Sequence, residues 1–326
     1  AAPVLLFPDS KPRELRVRVR SLAGASGSVR LEAPDGFAVG PREVPFKVST
    51  GGETDVAFQV TPPAHPKAGA TGTLRAVATV EGDPRRYDRG VRRIEHDHIP
   101  IQTLLPPAEV RVVRVELSRR PRKVGYVPGA GDEVSAALRE LGYQVVTLDP
   151  KALTPASLAG LDTVVTGVRA FNVEPGLVAL HGVLMDWVSR GGTLVAQYNT
   201  NSRIGPAPPD LGPFPFTISH DRTTDENAAV TLAKDPALAG PNAITAADFE
   251  GWVQERGLYY ADTWDPRYRA PLTMSDPGEK PTRGALLIGK YGKGTFIYTG
   301  LSLFRQLPAG VPGAYRLFVN FLDHGG

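Results

Sequence analysis

Cysteine is absent from all 326 positions. That excludes disulfides, thiolate metal sites and a cysteine nucleophile, and it leaves the cellular compartment open. No apolar run approaches the roughly 18 residues of a membrane span, so any membrane association would be peripheral. No aromatic-interleaved basic motif is present, so nucleic acid is not an expected partner. There is no internal repeat and no low-complexity tract. The first residue is not Met: the chain begins Ala-Ala-Pro. Small residues there suit a mature N-terminus after signal-peptide removal, and an extracytoplasmic location, periplasmic or secreted, is the expectation. A cut or processed fragment would begin the same way.

What is present describes a globular chain. Hydrophobic residues make up 41% and charged residues 22%, enough apolar mass for packed cores, and the length favours two domains. Gly (35) and Pro (31) are abundant, which points to strands joined by tight loops. The net charge of +3 is unevenly spread. Residues 1–123 carry 21 Lys and Arg against 14 Asp and Glu, and residues 124–326 carry 16 against 20. The basic stretches "DPRRYDRGVRR" (83–93) and "RRPRK" (119–123) read as a solvated strand edge and a linker. Attraction to an acidic partner or an anionic lipid surface is the other reading.

The first part alternates with period two. In "ELRVRVRSL", Leu15, Val17 and Val19 share one face and Arg16, Arg18 and Arg20 the other, the pattern of a half-buried strand. Four more short strand-like runs follow, each bounded by Gly, Pro or Asp. "LLPPAEVRVVRVEL" (104–117) reads as the closing strand. This spacing predicts an immunoglobulin-like β-sandwich over 1–118. Residues 119–123 form a polar linker. From residue 124 to 326, strands alternate with helices, which predicts a flavodoxin-like, mostly parallel α/β sheet with helices on both faces. "LDTVVTGVRAF" is expected as one strand, "GLVALHGVLMDWVSRGG" as one helix, "GALLIGKYGKGTFIYTG" as a strand pair and "AYRLFVNFL" as a closing helix.

Several motifs imitate chemistry. "GAGDEV" follows a strand and opens a helix, with Asp149 ending the next strand, the spacing of a dinucleotide fingerprint. Val134 replaces the third Gly, and Asp132 and Glu133 put negative charge where a pyrophosphate would sit. Asp132 reads better as an N-cap. "EHDHI" sets His96 and His98 on one strand face, and His65 could join them from a loop. No further ligand set is visible, so exposed histidines are expected and no metal or other cofactor is. His181 reads as a packed histidine beside Leu177, Leu184 and Val188. Ser302 in "YTGLSLF" lacks the Gly at 304 that a nucleophile elbow requires.

"DFEGWVQERGLYY" (248–260) is richer. Acid/base pairs could be drawn from Asp225, Glu226, Asp248, Glu250 and Glu255. Trp252 and Tyr259 could stack on a sugar face. Alternatively, Arg256 and the carboxylates satisfy one another and tie an irregular loop to the sheet, with the aromatics filling the core beneath. Asp248, Glu250, Trp252, Glu255, Arg256 and Tyr259 are therefore candidates for ligand binding or an interface, and no catalytic residue is assigned.

"VRAFN", "WVSRGGTLVAQYN", "RTTDENAAV", "DFEGWVQERGLYY" and "YGKGTFIYTGLSLFRQLPAGVPGAYRLFVN" resemble the C-terminal region of large bacterial PIG-L (LmbE-like) deacetylases. The resemblance is close over 160–320 and looser before. It implies a β-sandwich and a class I glutamine amidotransferase-like domain, which in that family follow a zinc-dependent catalytic domain. The family's H-P-D-D motif is not matched: the nearest text is "AHPKAG", with Lys67 and Ala68 in place of the acids. The amidotransferase-like elbow would fall near Gln197 and Tyr198, where there is no cysteine. The fold can be inherited without its chemistry. The expectation is a non-catalytic accessory or scaffold subunit that binds protein partners in a larger assembly. A carbohydrate-binding module is the alternative, and a hydrolase with an unrecognised site, dependent on Glu255, comes third.

Overall fold

A computed structural model describes residues 4–64, 70–201 and 211–324. The chain divides into two compact units, one ending at Glu116 and one beginning at Leu117. It is mixed α/β and rich in strands distributed over several sheets.

Among its described residues the first unit contains strands only: β1 (Val4–Phe7), β2 (Arg13–Arg20), β3 (Ala25–Glu32), β4 (Ala38–Gly40), β5 (Val44–Val48), β6 (Glu53–Thr61), β7 (Ala70–Val80), β8 (Asp83–Tyr87), β9 (Arg92–His96), β10 (Ile99–Leu104) and β11 (Glu109–Arg114). One sheet runs β1-β11-β7-β3-β5, with β8 also on β7, and a second runs β2-β6-β4. Alternation decides which side chains go inside. On β2, Leu15, Val17 and Val19 are half-buried while Arg16, Arg18 and Arg20 are exposed. Two apolar clusters bridge the sheets. Phe7, Leu74 and Val112 of the first meet Val60 of the second, and Val29, Phe46 and Val48 meet Val56 and Phe58. Much of the basic excess is paired at home: Arg18 with Asp55, Arg75 with Glu109, Arg85 with Asp83 and Arg86 with Glu32.

Among the described residues, β9 and β10 pair only with each other. They form an arm inserted between β8 and β11. Its base is closed by Ala108 donating to the Asp88 carbonyl and Gly90 to the Pro106 carbonyl, both at 2.8 Å.

The second unit is built on β12 (Lys123–Val127), β13 (Gln144–Thr147), β14 (Thr163–Thr166), β15 (Thr193–Gln197), β16 (Phe216–Ile218), β17 (Val230–Leu232), β18 (Ala261–Trp264), β19 (Tyr268–Arg269), β20 (Leu272–Met274), β21 (Leu286–Tyr291) and β22 (Gly294–Thr299). The main sheet runs β13-β12-β14-β15-β22-β21-β19. Its first five strands are parallel, and numbered among themselves they lie in the order 2-1-3-4-5. β21 and β22 form the expected antiparallel pair.

The helices are α1 (Val134–Glu140), α2 (Ala170–Val173), α3 (Pro175–Ala179), α4 (His181–Ser189), α5 (Pro236–Ala239), α6 (Leu303–Gln306) and α7 (Pro312–Asp323). Val164, Leu194, Phe296 and Tyr298 pack on one face with Leu184, Met185 and Val188 of α4. The alternating Val165, Val195 and Ile297 are equally buried. On their side the Thr163 hydroxyl donates to the Leu322 carbonyl of α7 at 2.9 Å.

Three boundaries differ from the sequence reading. The strand expected to reach Phe171 ends at Thr166, because Gly167 lies so close to Gly129 that a Cβ on it would meet the Gly129 nitrogen at 2.7 Å. The single helix expected from Gly176 to the Gly pair 191–192 is two, since Leu180 leaves helical geometry (φ −99°, ψ 11°). Residues 119–123, expected as a free linker, are stitched to the second unit. Arg120 N donates to Asp323 at 2.9 Å, Arg122 pairs with Asp323 at 3.3 Å, and Ser118 N donates to Asn242 at 2.9 Å.

Candidate functional site

In an open parallel sheet the ligand crevice lies beyond the carboxyl ends of the strands, at the point where strand order reverses. Here that point is between β12 and β14. It is filled by the protein itself. Asp132 accepts hydrogen bonds from the Tyr126 hydroxyl (2.5 Å), Val134 N (2.9 Å), Val168 N (2.9 Å) and the Gln197 amide (3.4 Å). The helix N-cap is Glu133, one residue after the position expected, while Asp132 still serves the first-turn nitrogen of Val134. A Cβ on Gly129 would meet the Val168 carbonyl oxygen at 2.3 Å. A carboxylate therefore holds the position that a nucleotide phosphate would need. Gln197, at the strand end expected for an elbow, is buried and donates to the Thr166 carbonyl at 3.2 Å. Ser302 is fully buried.

The segment 245–260 wraps against α7, α6 and β22. Asp248 closes a capping box on the 3-10 turn Ala246–Phe249, accepting from Thr245 N at 2.8 Å, and pairs with Arg316 of α7 at 2.7 Å. Trp252 is 3% exposed, stacks on Phe249 at 5.2 Å and donates its indole N–H to the Asp248 carbonyl at 3.0 Å. Its ring belongs to the core. Arg256 is buried too, but carbonyls satisfy it rather than carboxylates: Ala228 accepts at 2.9 Å and Phe249 accepts as well. Its guanidinium lies over both the Trp252 and Phe249 rings. Burial lowers the Arg256 pKa from its ordinary value, and the carbonyl dipoles hold the charge in place. Asp248, Trp252 and Arg256 are thus brought together as a structural knot. Glu250 is exposed and apart from them.

Glu255 and Tyr259 are half-buried. Glu255 pairs with Arg305 at 2.8 Å. Tyr259 stacks in parallel on Tyr198 (centroids 5.8 Å, 7°) and touches His220 (5.7 Å), while Tyr198 touches Phe304 (5.3 Å). Burial raises the Tyr198 hydroxyl pKa, opposed by Arg169 and Arg305. An aromatic row thus lines the carboxyl edge. Among the described residues, the positive-φ positions other than glycine are Arg169 (57°), Gln254 (66°) and Tyr259 (53°). Backbone strain of this kind gathers at functional sites.

His220 also lines a cleft of about 570 Å³ with Asp221, Arg222, Asp262, Trp264 and Lys280. None of these six residues was singled out from the sequence, because they converge from three separate segments with no shared spacing. The remaining candidates stay apart. His96 lies on β9, but His98 is in the following turn rather than on a strand, and their rings stack at 5.7 Å. His65 lies outside the described residues. No group of three metal-ligating side chains forms among the described residues. No helix in that set is long and apolar enough to cross a membrane.

No family model matches the chain, and no curated protein matches it. Among solved structures, a Thermoplasma acidophilum protein provisionally assigned to GMP synthase is similar at 12% identity. The match covers 63% of this chain and 94% of that one, with a TM-score of 0.42. A β-galactosidase from Rahnella sp. R3 is 20% identical over 61% of this chain and 31% of its own, with a TM-score of 0.35. This chain thus spans less than a third of that enzyme. The periplasmic chaperone SfaE is 8% identical over 36% of this chain and 56% of its own, with a TM-score of 0.23. These likenesses carry no argument about what the present chain does.

Proposed function

We propose that this chain is a non-catalytic accessory body of a larger assembly and that it docks a protein partner through the β9–β10 arm. The observation that carries this reading is the arm's exposure. Every residue of β10 is exposed, including Ile99 (40%), Ile101 (49%) and Leu104 (46%), and Val91 (56%) and Leu105 (59%) extend the apolar surface at its base. A two-stranded ribbon is marginal in water on its own. Apolar residues gathered on one exposed element mark an interaction surface, and both strand edges are open to an added strand. The turn at the arm's end carries Asp97 and His98. Burying the Asp97 carboxylate in a bilayer is costly, so a protein is the better occupant than a lipid surface.

The two units support an immunoglobulin-like and a flavodoxin-like or amidotransferase-like reading respectively, the second from the 2-1-3-4-5 strand order. Together they fit the C-terminal region of a PIG-L-type deacetylase system, in an extracytoplasmic setting. The buried Gln197 at the elbow position supports a binding role over a catalytic one. The test is co-purification from the native source with Ile101→Lys and Leu104→Lys combined. A stoichiometric partner should be lost while the melting temperature is kept. A partner retained by the double variant contradicts the arm's role.

A further inference from the structure

We infer that the cleft between His220 and Arg283 is a binding site for an uncharged oligosaccharide. It lies wholly in the second unit, and segment 220–222, the end of β18 and loop 279–283 supply its walls. Its size, about 570 Å³, suits a ligand of a few sugar rings.

The cleft walls carry Arg222, Lys280 and Arg283 against Asp221, Asp262 and Glu279. Elsewhere in the chain such neighbours close into ion pairs, as Arg267 does with Asp265 at 2.7 Å and Arg305 with Glu255 at 2.8 Å. In the cleft, the Asp221, Glu279 and Lys280 side chains are exposed and form no ion pair within 4 Å with any other described residue. Opposite charges held apart around one space offer donors and acceptors together, and hydroxyl groups can satisfy both. Because the two signs balance, the wall does not favour a phosphate, a sulfate or a polycation.

Trp264 supplies the apolar element. It is half-buried, packed against the core on one side and part of the cleft wall on the other. His220 continues the wall to Tyr259, whose ring is half-exposed, and the stacked row continues through Tyr198 to Phe304. An aromatic face beside unpaired polar groups is what the C–H face and hydroxyl rim of a neutral sugar require. The Tyr259 backbone is held at φ 53°, and its ring stacks on Tyr198 within 7° of parallel. The platform is therefore Trp264 with His220 and Tyr259, and not the buried Trp252.

This inference rests on the non-catalytic reading of the second unit but not on the arm. The experiment is a glycan array of neutral, uronic, sulfated and phosphorylated oligosaccharides, followed by calorimetric titration of the best neutral hit. Neutral glycans should be retained, and Trp264→Ala should weaken the titrated affinity roughly tenfold. Because Trp264 touches the core, Asp221→Asn and Lys280→Ala serve as exposed substitutions, each weakening binding roughly tenfold with an unchanged melting temperature. The arm variant should bind glycan normally, so the two readings can fail separately. Absence of neutral-glycan retention, a preference for the charged glycans, or binding indifferent to all three cleft substitutions would overturn the inference.

Discussion

Trp252 illustrates how far a residue type can be read without its burial. Beside two carboxylates and a tyrosine it has the composition of a sugar platform, yet it is 3% exposed, stacks on Phe249 and lies with it under the Arg256 guanidinium. Trp252→Ala should therefore act on stability, costing about 4 kcal/mol through the cavity it leaves, which urea denaturation would measure. Asp248→Ala should cost about 3 kcal/mol. It removes a capping box and the carboxylate partner of Arg316, in a pair whose side chains are 9% and 26% exposed. A third residue carries a pH signature. Burial, and then the neighbouring Arg269 charge, hold His324 below its ordinary pKa of 6.5. Arg269 donates to its Nε2 at 3.2 Å, so the neutral ring is the folded form. The unfolded chain binds the extra proton as pH falls below 6.5, so stability is fully present above that value and declines with acidification. Stability measured from about pH 7 to 5 should fall in the native chain and fall less in His324→Asn.

At the scale of elements, regular periodicity was the readable signal. The alternation on β2 and the β21–β22 pair both stand where the residue pattern puts them. Less readable were features set by tertiary approach. The Gly129–Gly167 contact that ends β14 depends on two loops meeting, and nothing in either loop's own composition announces it. The cleft is hidden for the same reason: Asp221, Trp264 and Lys280 are distant in sequence and share no motif. "SRRPRK" looks like a linker because it is polar, but Arg122 finds the buried carboxylate of Asp323, whose side chain is 1% exposed. A fragment spanning 117–326 should accordingly be more stable than one spanning 124–326, by about 3 kcal/mol, because the shorter one leaves Asp323 buried without its cation. Equal denaturation midpoints would show that 117–123 contributes nothing.

For the whole molecule, charge and exposure point to binding. The net charge of +3 conceals many arginines already paired within the first unit, which leaves less free positive charge for nucleic acid or lipid than the composition suggests. The conspicuous unsatisfied surface is apolar and sits on the arm. The second unit has the strand order of a ligand-binding sheet, with its switch point closed by Asp132 and its polar cleft displaced to one side. On the reading proposed here the two units offer different surfaces, one for a protein and one for a glycan. A photoreactive residue placed at Ile101 in the native cells, with an equivalent probe at the exposed Gln59 as control, tests the protein-docking claim most directly. The account predicts one predominant protein adduct from position 101 and none from position 59. Equal labelling from both positions, or none from 101, would contradict it.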